Sequence, residues 1–150
     1  DKYEFVDEQL AAAGLANYEV SNWAAPGHES RHNFLYWRQQ NYRGFGCAAH
    51  SHVDGRRWWN IRTPDRYIDA VNAGAPVEAS SETLDIDQRR SEGQQLKLRT
   101  RDGVKRSAFD QATLELVGDM VVEHPTEPDR VVLTRSGRLM ANDISIRLSD

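Results

Sequence analysis

Apolar positions Tyr3, Phe5, Val6, Leu10 and Ala13 recur at helical spacing, and Gly14 follows where a C-terminal cap belongs. The pattern predicts a short amphipathic helix there. Leu15 to Val20 then reads as a short strand, and a helix running into a strand is the rhythm of an α/β unit. Between residues 21 and 62 the period is lost while aromatics crowd in: Trp23, Phe34, Tyr36, Trp37, Tyr42, Phe45, Trp58 and Trp59. Loops this aromatic cover a core edge or a ligand. Thr63-Pro64 supplies a capping hydroxyl and a proline at the first helical position, Tyr67, Ile68 and Val71 form the apolar stripe, and Gly74 ends the helix. Residues 75–83, with Pro76 and the Ser80-Ser81 pair, read as a linker.

Asp87 is placed to cap a helix running to about Thr100, closed by Asp102-Gly103. Ser107 and Asp110 fit a weaker form of the capping box ahead of Leu114, Leu116 and Val117. Met120–Glu123 and Arg130–Thr134 are β-prone runs around Pro125 and Pro128, which predicts a hairpin. Leu139, Met140, Ile144 and Leu148 give a final amphipathic helix. Helices, a hairpin and a last helix make a small module resembling a winged helix.

At 150 residues the chain has the size of one domain. It opens at Asp1 without a methionine and enters a helical pattern at once, which reads as a cut through a longer protein. A formal charge of -4 provides no global field for nucleic acid or anionic lipid. A DNA-reading winged helix needs a basic recognition helix, yet residues 107–124 hold no Lys or Arg, and Arg135, Arg138 and Arg147 alternate with Asp143 and Asp150. One cysteine, Cys47, excludes an internal disulfide and points to a reducing, cytoplasmic setting. Its small apolar neighbours cast it as a minor hydrophobe. No stretch approaches the roughly 20 apolar residues of a membrane span.

Motifs change the picture most. The chain carries Tyr18-Glu19-Val20-Ser21-Asn22, then Pro26-Gly27, Ser30-Arg31-His32-Asn33 and Tyr36-Trp37, then Gly44-Phe45-Gly46-Cys47-Ala48-Ala49-His50-Ser51. Asn60, Pro64, Tyr67, Arg89-Arg90, Gly103-Val104, Leu133-Thr134, Gly137-Arg138-Leu139 and Asn142 follow in order. This series resembles the C-terminal part of the radical-SAM, oxygen-independent coproporphyrinogen III oxidase family. The string from His32 to Trp37 resembles the HNxxYW signature of its heme-chaperone branch. The resemblance implies an α/β plus α fold. Residues 1–62 would be the last strands and helices of a partial TIM-type radical-SAM barrel with its covering loops. Residues 63–150 would be a mainly helical, winged-helix-like C-terminal domain. It also implies a [4Fe-4S] cluster and S-adenosylmethionine in the full-length protein, heme as ligand, and heme-receiving respiratory proteins as partners, met at the membrane periphery. By the same resemblance His32, Asn33, Tyr36 and Trp37 handle heme, while Tyr18, Glu19, Gly44, Gly46 and Ala49 lie against S-adenosylmethionine. The family's cluster uses three thiolates, so a chain with Cys47 alone should be inactive by itself in radical chemistry.

The residues themselves leave alternatives open. A neutral His32 imidazole is a common iron ligand, and it is equally a group that hydrogen-bonds a loop. Tyr36 and Trp37 suit a porphyrin face or ordinary packing. Gly44, Gly46 and Ala49 permit close backbone approach, to a ligand or within a tight turn. His50 and His52 would share one face of a strand as a metal pair, without further ligands at useful spacing. Arg56-Arg57-Trp58-Trp59 suits single-stranded nucleic acid, heme propionates or a solvated loop. Two other functions stay in view: a coproporphyrinogen III oxidase that decarboxylates two propionates, and a non-enzymatic docking module. An unpaired sheet edge left by a truncated barrel would favour a homodimer.

Overall fold

The computed structural model describes residues 2–148. Asp1 and Asp150, used above, lie outside the described residues together with Ser149. Helix α1 (Lys2–Ala12) ends at Gly14, whose φ of +79° is the left-handed turn a C-terminal glycine permits. Strand β1 (Ala16–Glu19) turns directly into β2 (Asn22–Ala24), and the two pair antiparallel. The predicted loop region also holds α2 (Arg31–Trp37) and the strands β3 (His50–Val53) and β4 (Arg56–Asn60). Ser30 starts α2 by accepting the Asn33 N–H at 3.2 Å. Asp54 and Gly55, both at positive φ, form the two-residue turn that joins β3 to β4.

Helix α3 (Pro64–Asn72) begins and ends where expected, although the Thr63 hydroxyl makes no capping hydrogen bond. Residues 75–83 are not a plain linker. Glu78–Thr83 forms β5, an exposed edge strand pairing with β4 in a three-stranded antiparallel sheet. Arg57 sits directly across from Glu82 and bonds its carboxylate at 2.7 Å, so backbone pairing and ion pairing hold this strand without an apolar face.

Helix α4 (Ile86–Leu98) is capped by Asp85, not Asp87. Asp85 accepts the Gln88 N–H at 2.8 Å, and the Gln88 side chain accepts the Asp85 N–H at 3.1 Å. Strand β6 (Val104–Lys105) follows. Ser107 lies in a single tight turn, and Asp110 itself caps α5 (Gln111–Val117) through the Thr113 N–H. The expected hairpin is present as β7 (Val121–Glu123) and β8 (Arg130–Leu133), extended by β6 into a sheet of order β6-β8-β7. The last helix breaks at Met140 into α6 (Arg135–Leu139) and α7 (Ala141–Ser145). Every strand pairing among the described residues is antiparallel, so the parallel sheet of a barrel is not formed within them.

The apolar core belongs to the second half: Leu98, Val104, Phe109, Val117, Val131, Leu133 and Ile144 close around the β6-β8-β7 sheet. In the first half, Tyr18 and Phe34 are the buried apolar side chains among the described residues. The two chain ends are tied by Asp7. Its carboxylate accepts from Trp23 Nε1 at 2.6 Å, Arg135 Nε at 2.7 Å and Arg138 Nη2 at 3.0 Å. Burial works to raise the Asp7 pKa, but the Trp23 hydrogen bond and the two arginines outweigh it and hold the carboxyl below its ordinary value.

Candidate functional site

Helix α2 carries the motif, and its orientation is set by Phe34, which is buried with its ring centroid 5.5 Å from that of Tyr18. Arg38 lies over the Phe34 ring, 4.2 Å from its centroid. With Phe34 inward, His32 and Tyr36, one helical turn apart, share the exposed side. The Tyr36 hydroxyl and His32 Nε2 are 2.7 Å apart. When the phenol donates, the imidazole proton sits on Nδ1 and the ring is neutral.

Tyr36 meets Tyr42 edge-on at 4.4 Å between centroids, and Tyr42 in turn faces His52 at 6.1 Å. Tyr42 and His52 also exchange backbone hydrogen bonds at 2.9 and 3.0 Å. His32, Tyr36, Tyr42 and His52 therefore form one aromatic row from α2 to β3. Burial, followed by the neighbouring Tyr36, pushes the Tyr42 phenol above its ordinary pKa, so it stays protonated at neutral pH. The sequence reading left Tyr42 and His52 out of the site. Tyr42 stood out only as one aromatic among many, and its pairing with His52 is an isolated bridge from a loop residue to β3.

Asn33 reaches the Tyr18 hydroxyl through a long bond of 3.5 Å. Trp37 leaves the row and turns toward α4, where it lines a separate cavity. Tyr18 and Glu19 are buried. The Glu19 carboxylate accepts the Ser21 N–H at 3.3 Å and the Asn22 side-chain amide, closing the β1–β2 turn. Gly44 donates its N–H to Ser51 Oγ at 3.0 Å, and a Cβ on it would strike the His50 carbonyl. That glycine answers to the chain's own close approach. Gly46 has a φ of +99° with open space beside it, and its carbonyl accepts from Asn60 Nδ2 at 2.9 Å. Ala49 closes the same turn, its carbonyl taking the Asn60 N–H at 2.9 Å. Gly46 thus leaves open space beside its backbone, while the Gly46 and Ala49 carbonyls are both taken up by Asn60.

His50 and His52 do not form a metal pair. His52 is buried with Nδ1 3.1 Å from the Gln40 carbonyl, while His50 is exposed beside Trp59, and no cluster of three metal-binding side chains occurs among the described residues. Cys47 is exposed rather than a small buried hydrophobe. Arg56 binds Glu78 at 2.5 Å, and Arg57 binds Glu82 and Glu92 at 2.7 and 2.5 Å, so neither is free for propionates. The cluster chemistry does not fit these residues, because one exposed thiol cannot supply three thiolate ligands.

No protein-family model matches the chain. Proteins named heme chaperone HemW from Mycobacterium tuberculosis are 37% identical over 147 residues, covering 95% of this chain and 37% of theirs. The protein of that name from Bacillus subtilis is 31% identical over 156 residues, covering 96% of this chain and 41% of its own length. The Escherichia coli one is 46% identical over 93 residues, 57% of this chain. The chain thus spans about two fifths of the full-length relatives it matches. In fold, it superimposes on Escherichia coli coproporphyrinogen III oxidase, described as a radical SAM enzyme, with a TM-score of 0.66 over 95% of this chain and 39% of that one, at 15% identity.

Proposed function

We propose that the exposed face of α2 binds heme, on the premise that this chain is a homologue of the heme chaperones named HemW over 95% of its length. The observation that carries the proposal is the His32–Tyr36 pair. An exposed imidazole, with Nε2 toward a phenol 2.7 Å away, can exchange that hydrogen bond for iron. Tyr36 then stands beside the metal and Tyr42 braces it from below. Asn33, on the same helix, steadies α2 against Tyr18.

The same reading places the [4Fe-4S] cluster in the longer protein, whose thiolates this chain does not contain, and lets S-adenosylmethionine lie along the backbone at Gly46 and Ala49. Residues 1–62 are then the end of the barrel, completed by strands of the longer protein. Residues 63–150 are then the C-terminal domain, from which β5 reaches back to pair with β4, and the order α4, β6, α5, β7, β8 with sheet order β6-β8-β7 supports its winged-helix-like character. Heme would pass in the cytoplasm or at the membrane periphery to respiratory proteins. The alternative, coproporphyrinogen III oxidation, draws support from fold likeness alone.

Titration of the full-length protein with ferric heme, followed in the visible range beside a His32→Ala variant, tests this. A Soret shift that saturates at a single heme per chain and is lost in the variant supports the reading. Equal binding by both versions would remove His32 from it.

A further inference from the structure

The wall of α2 that turns away from the His32 row faces a cavity of about 400 Å³ between α2, α4 and β6. Six of its lining residues are cationic and none is acidic, in a chain whose formal charge is -4. Such a concentration opposes the trend of the molecule, and like charges held together without a counter-charge repel. Three of the six already have partners. Arg38 binds Asp102 at 2.7 Å, Arg130 donates to the Asp102 and Gly103 carbonyls at 2.8 and 2.6 Å, and Arg90 meets Asp87 at 3.4 Å.

Arg89, Lys97 and Lys105 are different. None of them makes a side-chain hydrogen bond or ion pair among the described residues. Arg89 and Lys97 lie eight residues apart on α4 with Gly93 midway, so all three share one helix face. At Gly93 the helix surface is met by the end of the Gln39 side chain, whose Oε1 would lie 2.7 Å from a Cβ there, so the segment that follows α2 lies against α4. Trp37 then forms an aromatic wall beside the unpaired cations.

We infer that this cavity binds a multivalent oxyanion, a small molecule carrying a diphosphate or paired carboxylates. Arginine grips such groups in two-pronged fashion and lysine as a point charge, while an indole face accepts the body to which they are attached. The inference does not rest on heme ligation by His32. Two sources share the chemistry: a nucleotide diphosphate and the propionates of a tetrapyrrole.

The test is calorimetric titration of the full-length protein with inorganic pyrophosphate. Saturable binding at one site is expected, falling about tenfold or more in a variant combining Arg89→Gln, Lys97→Gln and Lys105→Gln, a change of about 1.4 kcal/mol or more. The melting temperature should not fall, since removing like charges relieves repulsion, and Arg147→Gln, outside the cavity, should bind as before. Competition then names the source: displacement by ADP assigns a nucleotide, and displacement by coproporphyrin III assigns tetrapyrrole carboxylates. Absence of saturable pyrophosphate binding, or equal affinity in the triple variant, would overturn the inference. So would binding of poly-glutamate where pyrophosphate does not bind, which would mark a protein-docking surface.

Discussion

Replacing Asp7 by alanine removes one carboxylate that holds Trp23, Arg135 and Arg138 at once, and with them the tie between α1, β2 and α6. A hydrogen bond to a charged group contributes about 1.5–3 kcal/mol when buried. The Asp7 side chain is 11% exposed and that of Arg138 16%, but Arg135 is 41% exposed and its share is screened. The combined loss is therefore about 2–3 kcal/mol, less than three full contributions. For a chain of this size about 2 kcal/mol lowers the Tm by about 4–8 °C. The pH dependence follows from the sign of the pKa shift. The folded Asp7 carboxyl is depressed, so its stabilisation is fully present above the unfolded value of about 3.9 and is lost as pH falls through the lower folded value. Urea unfolding of the wild type, Asp7→Ala and Asp7→Asn at neutral pH and below about pH 4 reads both effects. A neutral-pH loss under about 0.5 kcal/mol, or a wild-type to Asp7→Asn gap that does not narrow in acid, would refute the reasoning.

Tyr36→Phe frees His32 Nε2 while keeping the ring, so heme should bind about two- to tenfold more tightly, as the loss of one competing hydrogen bond predicts; weaker binding in a heme titration would contradict this. Gly137→Ala drives a methyl into the Met120 carbonyl and should cost about 1–3 kcal/mol in chemical denaturation, whereas an unchanged midpoint would show that α6 can move aside. Arg57→Ala releases Glu82 and Glu92, and faster amide exchange across residues 78–83 with a loss of about 1 kcal/mol is expected; unchanged protection would mean that backbone pairing alone holds β5.

What could be read from the sequence follows the locality of each signal. Gly14, Pro64 and Gly74 bound their helices, and the prolines between 124 and 129 mark the β7–β8 hairpin, because each acts within a few residues of itself. Strand β5 was hidden because Glu78–Thr83 has no apolar alternation; its reason to be a strand is Arg57, across the sheet. Helix α2 was hidden because seven residues with one buried side chain show no period, although Ser30 ahead of Asn33 was a readable cap. Asp54-Gly55 was likewise a readable hairpin turn. At the site, resemblance supplied His32 and Tyr36, and helical spacing explains why they touch. Their extension through Tyr42 to His52 depends on pairing across residues 42–52, which no local pattern announces. Arg56 and Arg57 looked free because their carboxylate partners lie 22 to 35 residues away.

Heme binding on α2, as proposed, turns on His32 Nε2 taking the iron. Chemical rescue addresses it most directly: ferric heme is added to full-length His32→Ala, and free imidazole is titrated in while the low-spin heme spectrum is followed. The variant should lack the wild-type spectrum, and imidazole should restore it in a saturable way by filling the space the side chain vacated. A variant that shows the wild-type spectrum before any imidazole is added would contradict it.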